Sequence, residues 1–257
     1  MRIAHELHGP EEAPVVVLSS SLGTTRELWA PQIPALARDL RVLAYDHPGH
    51  GESDLPGEGC SIEGLARSLL SLLDELELER VSIGGVSLGG MVATAIALEA
   101  PERVDRLVLA CTSAFLGPPE TWLERAATVR RSGIEAIADA VLGRWFTAEL
   151  AAAQPEIPAR FRALLLSTSR EGYARCCEAI ARWDARERLT EIRAPTLVVA
   201  GADDPATPVA HSELLASRIP NAHLVVLERA AHLANVERAP EFTQELLAHL
   251  TEGASGG

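Results

Sequence analysis

Three short stretches of this chain hold the residue types that acyl-transfer chemistry needs. The first is Gly85-Val86-Ser87-Leu88-Gly89. A serine with glycines two positions to either side fits a sharp strand-to-helix turn, because the strained backbone at the serine needs small neighbours if strand and helix are to close on one another. On such a turn the Ser87 hydroxyl stands clear of the sheet, and the N–H of Leu88 is placed to meet an oxyanion. A serine hydroxyl is a weak nucleophile at neutral pH and needs a base, itself oriented by a carboxylate. The second stretch, Gly201-Ala202-Asp203-Asp204-Pro205, supplies the carboxylate, with Asp204 favoured over Asp203. The third, Glu228-Arg229-Ala230-Ala231-His232, supplies the base. Serine, aspartate, histidine is the chain order such an elbow uses. His47 and His50 lie in a glycine-rich loop, where substrate contact and plain loop polarity explain them equally well. His5, His8, His211, His223 and His249 are expected on the surface. All 23 basic residues are arginine. That excludes a Schiff-base lysine, a phosphate-loop lysine and a Ser–Lys dyad.

These residues need elements to hold them. Val15-Val16-Val17-Leu18 and Arg41-Val42-Leu43-Ala44-Tyr45 predict buried strands. The first ends in the turn Ser19-Ser20-Ser21-Leu22-Gly23 and the second in the loop Asp46-His47-Pro48-Gly49-His50-Gly51-Glu52-Ser53. From an N-capping Ser61, the residues Ile62, Leu65, Leu69, Leu72, Leu73 and Leu76 recur at helical spacing. Arg80 to Gly85 predicts a strand just before Ser87, and Gly90 to Glu99 a small-residue helix stopped by Pro101. Further strands are expected at Leu107–Ala110, Thr196–Ala200 and His223–Leu227, the last two shortly before Asp204 and His232. Helices are expected near Ser212 to Arg218 and over Phe242 to Leu250. Continuous apolar strands alternating with helices imply an α/β fold, a mostly parallel central sheet with helices on both faces. The alternation lapses between about Ala114 and Leu189, a stretch helical in composition. The expected organisation is an α/β core over 1–114 and 190–252, a helical lid over 115–189 and a flexible tail over 253–257.

The 257 residues are 47% apolar and 23% charged, enough to bury one large core. A formal charge of −13 repels phosphate backbones and anionic bilayers, so neither nucleic acid nor membrane is an expected partner. No signal-like start and no membrane-length apolar run is present, which makes the cytoplasm the expected compartment. Cys60, Cys111, Cys176 and Cys177 lack CxxC spacing and read as buried or half-buried thiols. Charge is unevenly spread. Residues 115–190 hold 11 arginines against 10 acidic residues, whereas the rest of the chain holds 12 against 26. The helical segment is the one part of the chain that does not repel an anion.

In order along the chain, Asp46 to Ser53, the Gly85–Gly89 elbow, Gly201-Ala202-Asp203-Asp204 and Ala231-His232 resemble the α/β-hydrolases over their full length. More narrowly, four stretches resemble the 3-oxoadipate enol-lactonases: Leu18 to Thr24, Arg144-Trp145-Phe146-Thr147, Gly172 to Ile180 and Ala202 to Pro208. Most family members outside that group have His-Gly where this chain has Ser20-Ser21, a departure the enol-lactonases share. Ala181 to Arg186 fits their pattern less well. Serine at position 87 separates the chain from the dehalogenase and epoxide-hydrolase branches, which use aspartate there.

The resemblance implies hydrolysis of 3-oxoadipate enol-lactone to 3-oxoadipate in the catabolism of aromatic acids, through an acyl-enzyme. It implies Ser87 as nucleophile, His232 as base, Asp204 as its orienting acid, and the N–H groups of Leu22 and Leu88 as oxyanion donors. No metal and no organic cofactor is required. The implied partner is a small anionic lactone. Arg144 is the expected contact for its free carboxylate, with Arg175 and Arg182 behind it, and Trp145 and Trp122 as walls for the ring. A carboxylesterase or a serine-dependent carbon–carbon bond hydrolase would keep the same triad and differ in the lid. From another class, a non-catalytic ligand-binding protein of this fold is the alternative, and the intact set of triad residue types argues against it.

Overall fold

The apolar runs hydrogen-bond side by side. In the computed structural model, which describes residues 1–252, the strands are β1 (His5–His8), β2 (Val15–Ser19), β3 (Arg41–Tyr45), β4 (Val81–Val86), β5 (Val104–Ala110), β6 (Thr196–Gly201) and β7 (Ala222–Leu227). They form one seven-stranded sheet in the order β1-β3-β2-β4-β5-β6-β7. Every pairing is parallel except β1 with β3, where His5 faces Tyr45 and His8 faces Val42. The inner strands β4 and β6 are buried along their whole length, because helices cover both faces of the sheet. β1 was not expected: His-Glu-Leu-His carries no apolar alternation, and its half-exposed place at a sheet edge asks for none.

The helix Ile62–Glu75 begins where Ser61 accepts a hydrogen bond from Gly64 N–H at 3.1 Å. Helix Leu88–Glu99 starts two residues earlier than its small-residue pattern predicts, directly after Ser87, and is buried from Leu88 to Leu98. Between β5 and β6 the chain runs through the helices Pro119–Ser132, Ala138–Trp145, Ala148–Ala153, Glu156–Ser167 and Arg170–Arg182. The two ends of this segment meet in a bridge between Phe115 and Asp184, with Ala185 N–H donating to the Ala114 carbonyl at 2.9 Å. The segment therefore rises over the carboxyl ends of the strands, where ligands of parallel α/β sheets bind.

All four cysteines are free and buried. Among the described residues no helix is long and apolar enough to cross a membrane. The tail expected over 253–257 lies outside the described residues.

Candidate active site

Ser87 sits between β4 and the helix Leu88–Glu99 with φ 56° and ψ −115°, a backbone conformation L-residues rarely take. Such a conformation costs about 1–3 kcal/mol and persists only where the surroundings enforce it. Here Ser87 N–H donates to the Ala110 carbonyl at 2.9 Å, and Thr112 Oγ1 donates to the Ser87 carbonyl at 2.6 Å. The flanking glycines are required sterically. A Cβ on Gly85 would lie 2.3 Å from the Gly89 carbonyl, and one on Gly89 would lie 2.1 Å from the Ser19 carbonyl oxygen.

Asp204 and His232 arrive from the ends of β6 and β7. His232 Nδ1 donates to Asp204 Oδ2 at 2.8 Å, with both side chains buried. That bond puts the proton on Nδ1 and leaves Nε2 with a free lone pair. The carboxylate is further held by Ala206 N–H (2.8 Å), Thr207 N–H (3.0 Å) and Thr207 Oγ1 (2.6 Å). Burial alone would raise the Asp204 pKa. The facing His232 charge and the hydrogen bonds from His232 and Thr207 outweigh it and hold the carboxyl below its ordinary value. Asp203 is exposed, its side chain outside this set. Thr207 escaped the sequence reading, although an aspartate followed three residues later by threonine is a local capping pattern.

The turn after β2 brings a second backbone donor beside Ser87. Neither Leu22 N–H nor Leu88 N–H donates to another main-chain group among the described residues. Leu88 N–H also opens a twelve-residue helix, whose dipole favours negative charge at that end. Ser21, Leu22, Ser87 and His232 line one cleft of about 230 Å³. A hydroxyl, a ring nitrogen free to accept its proton and two free N–H groups are the parts that acyl transfer requires.

The cleft's other wall comes from the helical segment. Arg144, Trp145 and Trp122 all line it. Trp145 is buried, edge-on to Phe161. Trp122 is fixed by its Nε1–H bond to the Leu116 carbonyl at 2.9 Å. Arg175 and Arg182, the next candidates after Arg144 for the carboxylate contact, do not line it. Arg175 pairs with Glu171 at 2.7 Å and donates to the Pro56 carbonyl, and Arg182 donates to the Cys60 carbonyl. Seven residues apart on one helix, they share a face and brace the 56–60 loop. Tyr173, about 200° round the helix from Arg175 at 3.6 residues per turn, is the residue that reaches the cleft.

Arg125 was missed. It lies in the cleft with its guanidinium 4.4 Å from the Trp122 ring centroid, one helical turn along the same helix, a spacing that could have flagged it. Within this segment Arg130, Arg160, Arg162, Arg170, Arg175, Arg186 and Arg188 each meet a carboxylate. Among the described residues Arg125, Arg131, Arg144 and Arg182 meet none, and of these Arg125 and Arg144 line the cleft. Burial, and then the like charge of Arg125, lower the pKa of Arg144.

The arginine wall and the base are also joined. His232 N–H donates to the Arg144 carbonyl (3.3 Å) and Leu233 N–H to that of Trp145 (3.0 Å), while the Glu237 carboxylate accepts from Ala231 N–H at 3.0 Å and from Thr147. Three further histidines differ from expectation, His8 being half-buried. His249 is buried, its ring packed against His223, and His211 is half-buried with Nδ1 2.7 Å from Ser113 Oγ.

Comparison with known proteins agrees with this architecture. Residues 14–239 match the family model described as the alpha/beta hydrolase fold. The 3-oxoadipate enol-lactonase 2 of Acinetobacter baylyi is 38% identical over 234 residues, covering 91% of this chain and 87% of that protein. A protein of Stutzerimonas stutzeri named provisionally as the carbamate hydrolase RutD is also 38% identical, over 256 residues and 96% of each chain. The crystal structure of the enol-lactonase from Burkholderia xenovorans LB400 superposes with a TM-score of 0.94 at 41% identity, covering 97% of this chain and 96% of that one.

Proposed function

The chain belongs to the alpha/beta hydrolase fold family, and from that premise we propose that it is a serine hydrolase that opens 3-oxoadipate enol-lactone to 3-oxoadipate. The observation that carries this reading is the convergence on one small cleft of Ser87, His232 and two arginines that have no carboxylate partner. In a chain of charge −13, two guanidinium groups left in one cleft call for an anionic ligand. A lactone bearing a free carboxylate supplies both halves, an ester carbonyl for Ser87 and a charge for Arg144 and Arg125. The enol-lactonase relatives support the same choice.

The reaction follows from the residues. His232 Nε2 takes the Ser87 proton as Oγ adds to the lactone carbonyl, and Asp204 stabilises the imidazolium that forms. The oxyanion accepts from Leu22 and Leu88 N–H, each such donor worth about 3 kcal/mol. Collapse of the tetrahedral adduct breaks the ring C–O bond. An enolate leaves, takes a proton and ketonises. Enolates leave more readily than alkoxides, so acylation is not the difficult half. Water, deprotonated by His232, then cleaves the acyl-enzyme and frees the second carboxylate. Trp122 and Trp145 wall the ring. The activity belongs to the cytoplasmic degradation of aromatic acids.

The test is loss of enol-lactone absorbance with wild type beside Ser87→Ala. The expected result is a wild-type kcat/KM of about 10⁴ M⁻¹s⁻¹ or more, abolished in the variant. No lactone turnover, with aryl-ester cleavage still lost in Ser87→Ala, would keep the serine and remove the lactone. Turnover of a carbamate in its place would move the reading to that relative's chemistry.

A further inference from the structure

We infer that His47 and His50, which lie outside the cleft, are positioning residues that clasp the oxyanion turn from behind. The inference rests on the reading of Leu22 N–H as an oxyanion donor. The Asp46–Ser53 loop brings both rings against the turn after β2, and each ring is buried. His47 Nε2 lies 2.9 Å from the Ser20 carbonyl oxygen, so this nitrogen carries the proton and donates. Its Nδ1 is left to accept from Tyr45 Oη at 3.4 Å. His50 is the opposite tautomer. Its Nε2 accepts from Gly23 N–H at 3.0 Å, and Nδ1 donates to the Pro48 carbonyl at 3.4 Å. Both roles need neutral rings. Burial supplies that, pushing His47 down to about 3 and His50 down to about 4.

The two bonds bracket Ser21 and Leu22. One holds the carbonyl just before this pair and the other the N–H just after it, so the peptide planes between have little freedom. The peptide that carries Leu22 N–H is held at its Ser21 carbonyl by Thr24 N–H (3.1 Å) and Thr24 Oγ1 (2.8 Å), and the peptide after it by His50 through Gly23 N–H. The far side of the turn is closed as well. Gly23 has φ +79°, and a Cβ there would meet Leu165 Cδ1 at 2.6 Å and Tyr173 at 3.1 Å. The loop bearing the histidines is itself anchored by the buried Asp46 carboxylate, which accepts from Arg26 N–H (2.8 Å), Arg26 Nη1 (2.5 Å) and Glu52 N–H (3.1 Å). The rings face each other edge-on at 6.1 Å. In this chain the buried histidine pair does for the oxyanion donor what second-sphere groups do for a metal ligand.

The experiment compares His50→Leu and His50→Gln in the full chain, with 4-nitrophenyl acetate as substrate and phenylboronic acid as inhibitor. The boronate forms a tetrahedral adduct on the serine and reports oxyanion binding directly. His50→Leu removes the acceptor, and kcat should fall about 30-fold, part of the 10²–10³ lost when an oxyanion donor is deleted outright. KM should stay within about twofold and boronate affinity should drop with kcat, because the lost interaction belongs to the transition state. In His50→Gln the side-chain oxygen can accept from Gly23 N–H, and kcat should recover to within about threefold. His47→Leu removes the donor at the other end and should reproduce the same kcat loss, so the test stands if His50→Leu fails to fold. Folded leucine variants with wild-type kcat and boronate affinity would overturn the inference, as would equal losses in Leu and Gln or a loss in KM alone. Ser87→Ala separates this from the broader reading. If it still cleaves the ester, the serine-hydrolase reading fails, whereas a dead Ser87→Ala beside fully active leucine variants sinks only the clasp.

Discussion

Replacing Arg144 by glutamine should move activity and stability in opposite directions. Arg144 and Arg125 are half-buried, line the same cleft and have no carboxylate to neutralise them, and burial followed by the charge of Arg125 makes the protonated Arg144 guanidinium harder to hold. Arg144 is therefore a liability to the fold. Removing one of two like charges at a partly exposed site relieves at most about 1 kcal/mol, which for a chain of this size raises Tm by about 2–4 °C. Activity should fall instead. The variant gives up a charge-assisted hydrogen bond to the substrate carboxylate, about 1.5–3 kcal/mol, and at about 1.36 kcal/mol per tenfold this is roughly 10- to 150-fold in kcat/KM. The loss should sit in KM, since the bond is made as fully in the ground state as in the transition state. The bond from His232 N–H to the Arg144 carbonyl is main-chain and survives the change, so a neutral aryl acetate should be hydrolysed within about twofold of the wild-type rate, a uniform-binding loss being confined to the carboxylated substrate. Thermal melts and kinetics on both substrates provide the assay. Equal losses on the lactone and the neutral ester, or a Tm several degrees lower, would show Arg144 to be a structural arginine and refute the anion site.

Two further predictions concern the elbow and the acid. Asp204→Asn presents an amide N–H to His232 Nδ1 and pushes the ring proton onto Nε2, where it cannot accept from Ser87; kcat should fall about 10⁴-fold with KM little changed. Because the folded carboxyl lies below its ordinary value of 3.8, it adds stability that is present above that value and lost as pH falls through the folded one. The Tm gap between wild type and Asp204→Asn should therefore narrow on acidification from about pH 5 to pH 2, and a constant gap would deny the linkage. Gly89→Ala drives a Cβ to 2.1 Å from the Ser19 carbonyl, a backbone clash that cannot relax cheaply. It should destabilise by about 1–3 kcal/mol and displace Ser87. Gly143→Ala, on a helix with open space around it, should instead stabilise by about 0.5–1 kcal/mol, and denaturant melts of the pair distinguish the two cases.

Much of this site is legible in the chain because the signals are local. An apolar strand followed at once by Gly85-Val86-Ser87-Leu88-Gly89 states both the turn and the reason for its glycines. The strands before Asp204 and His232 bring those residues to the same edge of a parallel sheet, whatever the helices between them do. The absence of lysine and the arginine balance of residues 115–190 are composition alone. β1 was not legible, since an edge strand of polar residues gains its place from pairing with β3 and not from burial of its own side chains.

Only the tertiary structure decided which neighbour does what. It set Asp204, and not the exposed Asp203, against His232. It turned Arg175 and Arg182 toward the carbonyls of Pro56 and Cys60, and turned Arg125, Arg144 and Tyr173 into the cleft. It placed His50 on Gly23 N–H across 27 residues of chain. Period and turn chemistry are written in consecutive residues and can be read from them. The rotational phase of a helix about its axis, and the partner a buried polar atom finds across the fold, are fixed when separate segments pack and every buried donor must meet an acceptor.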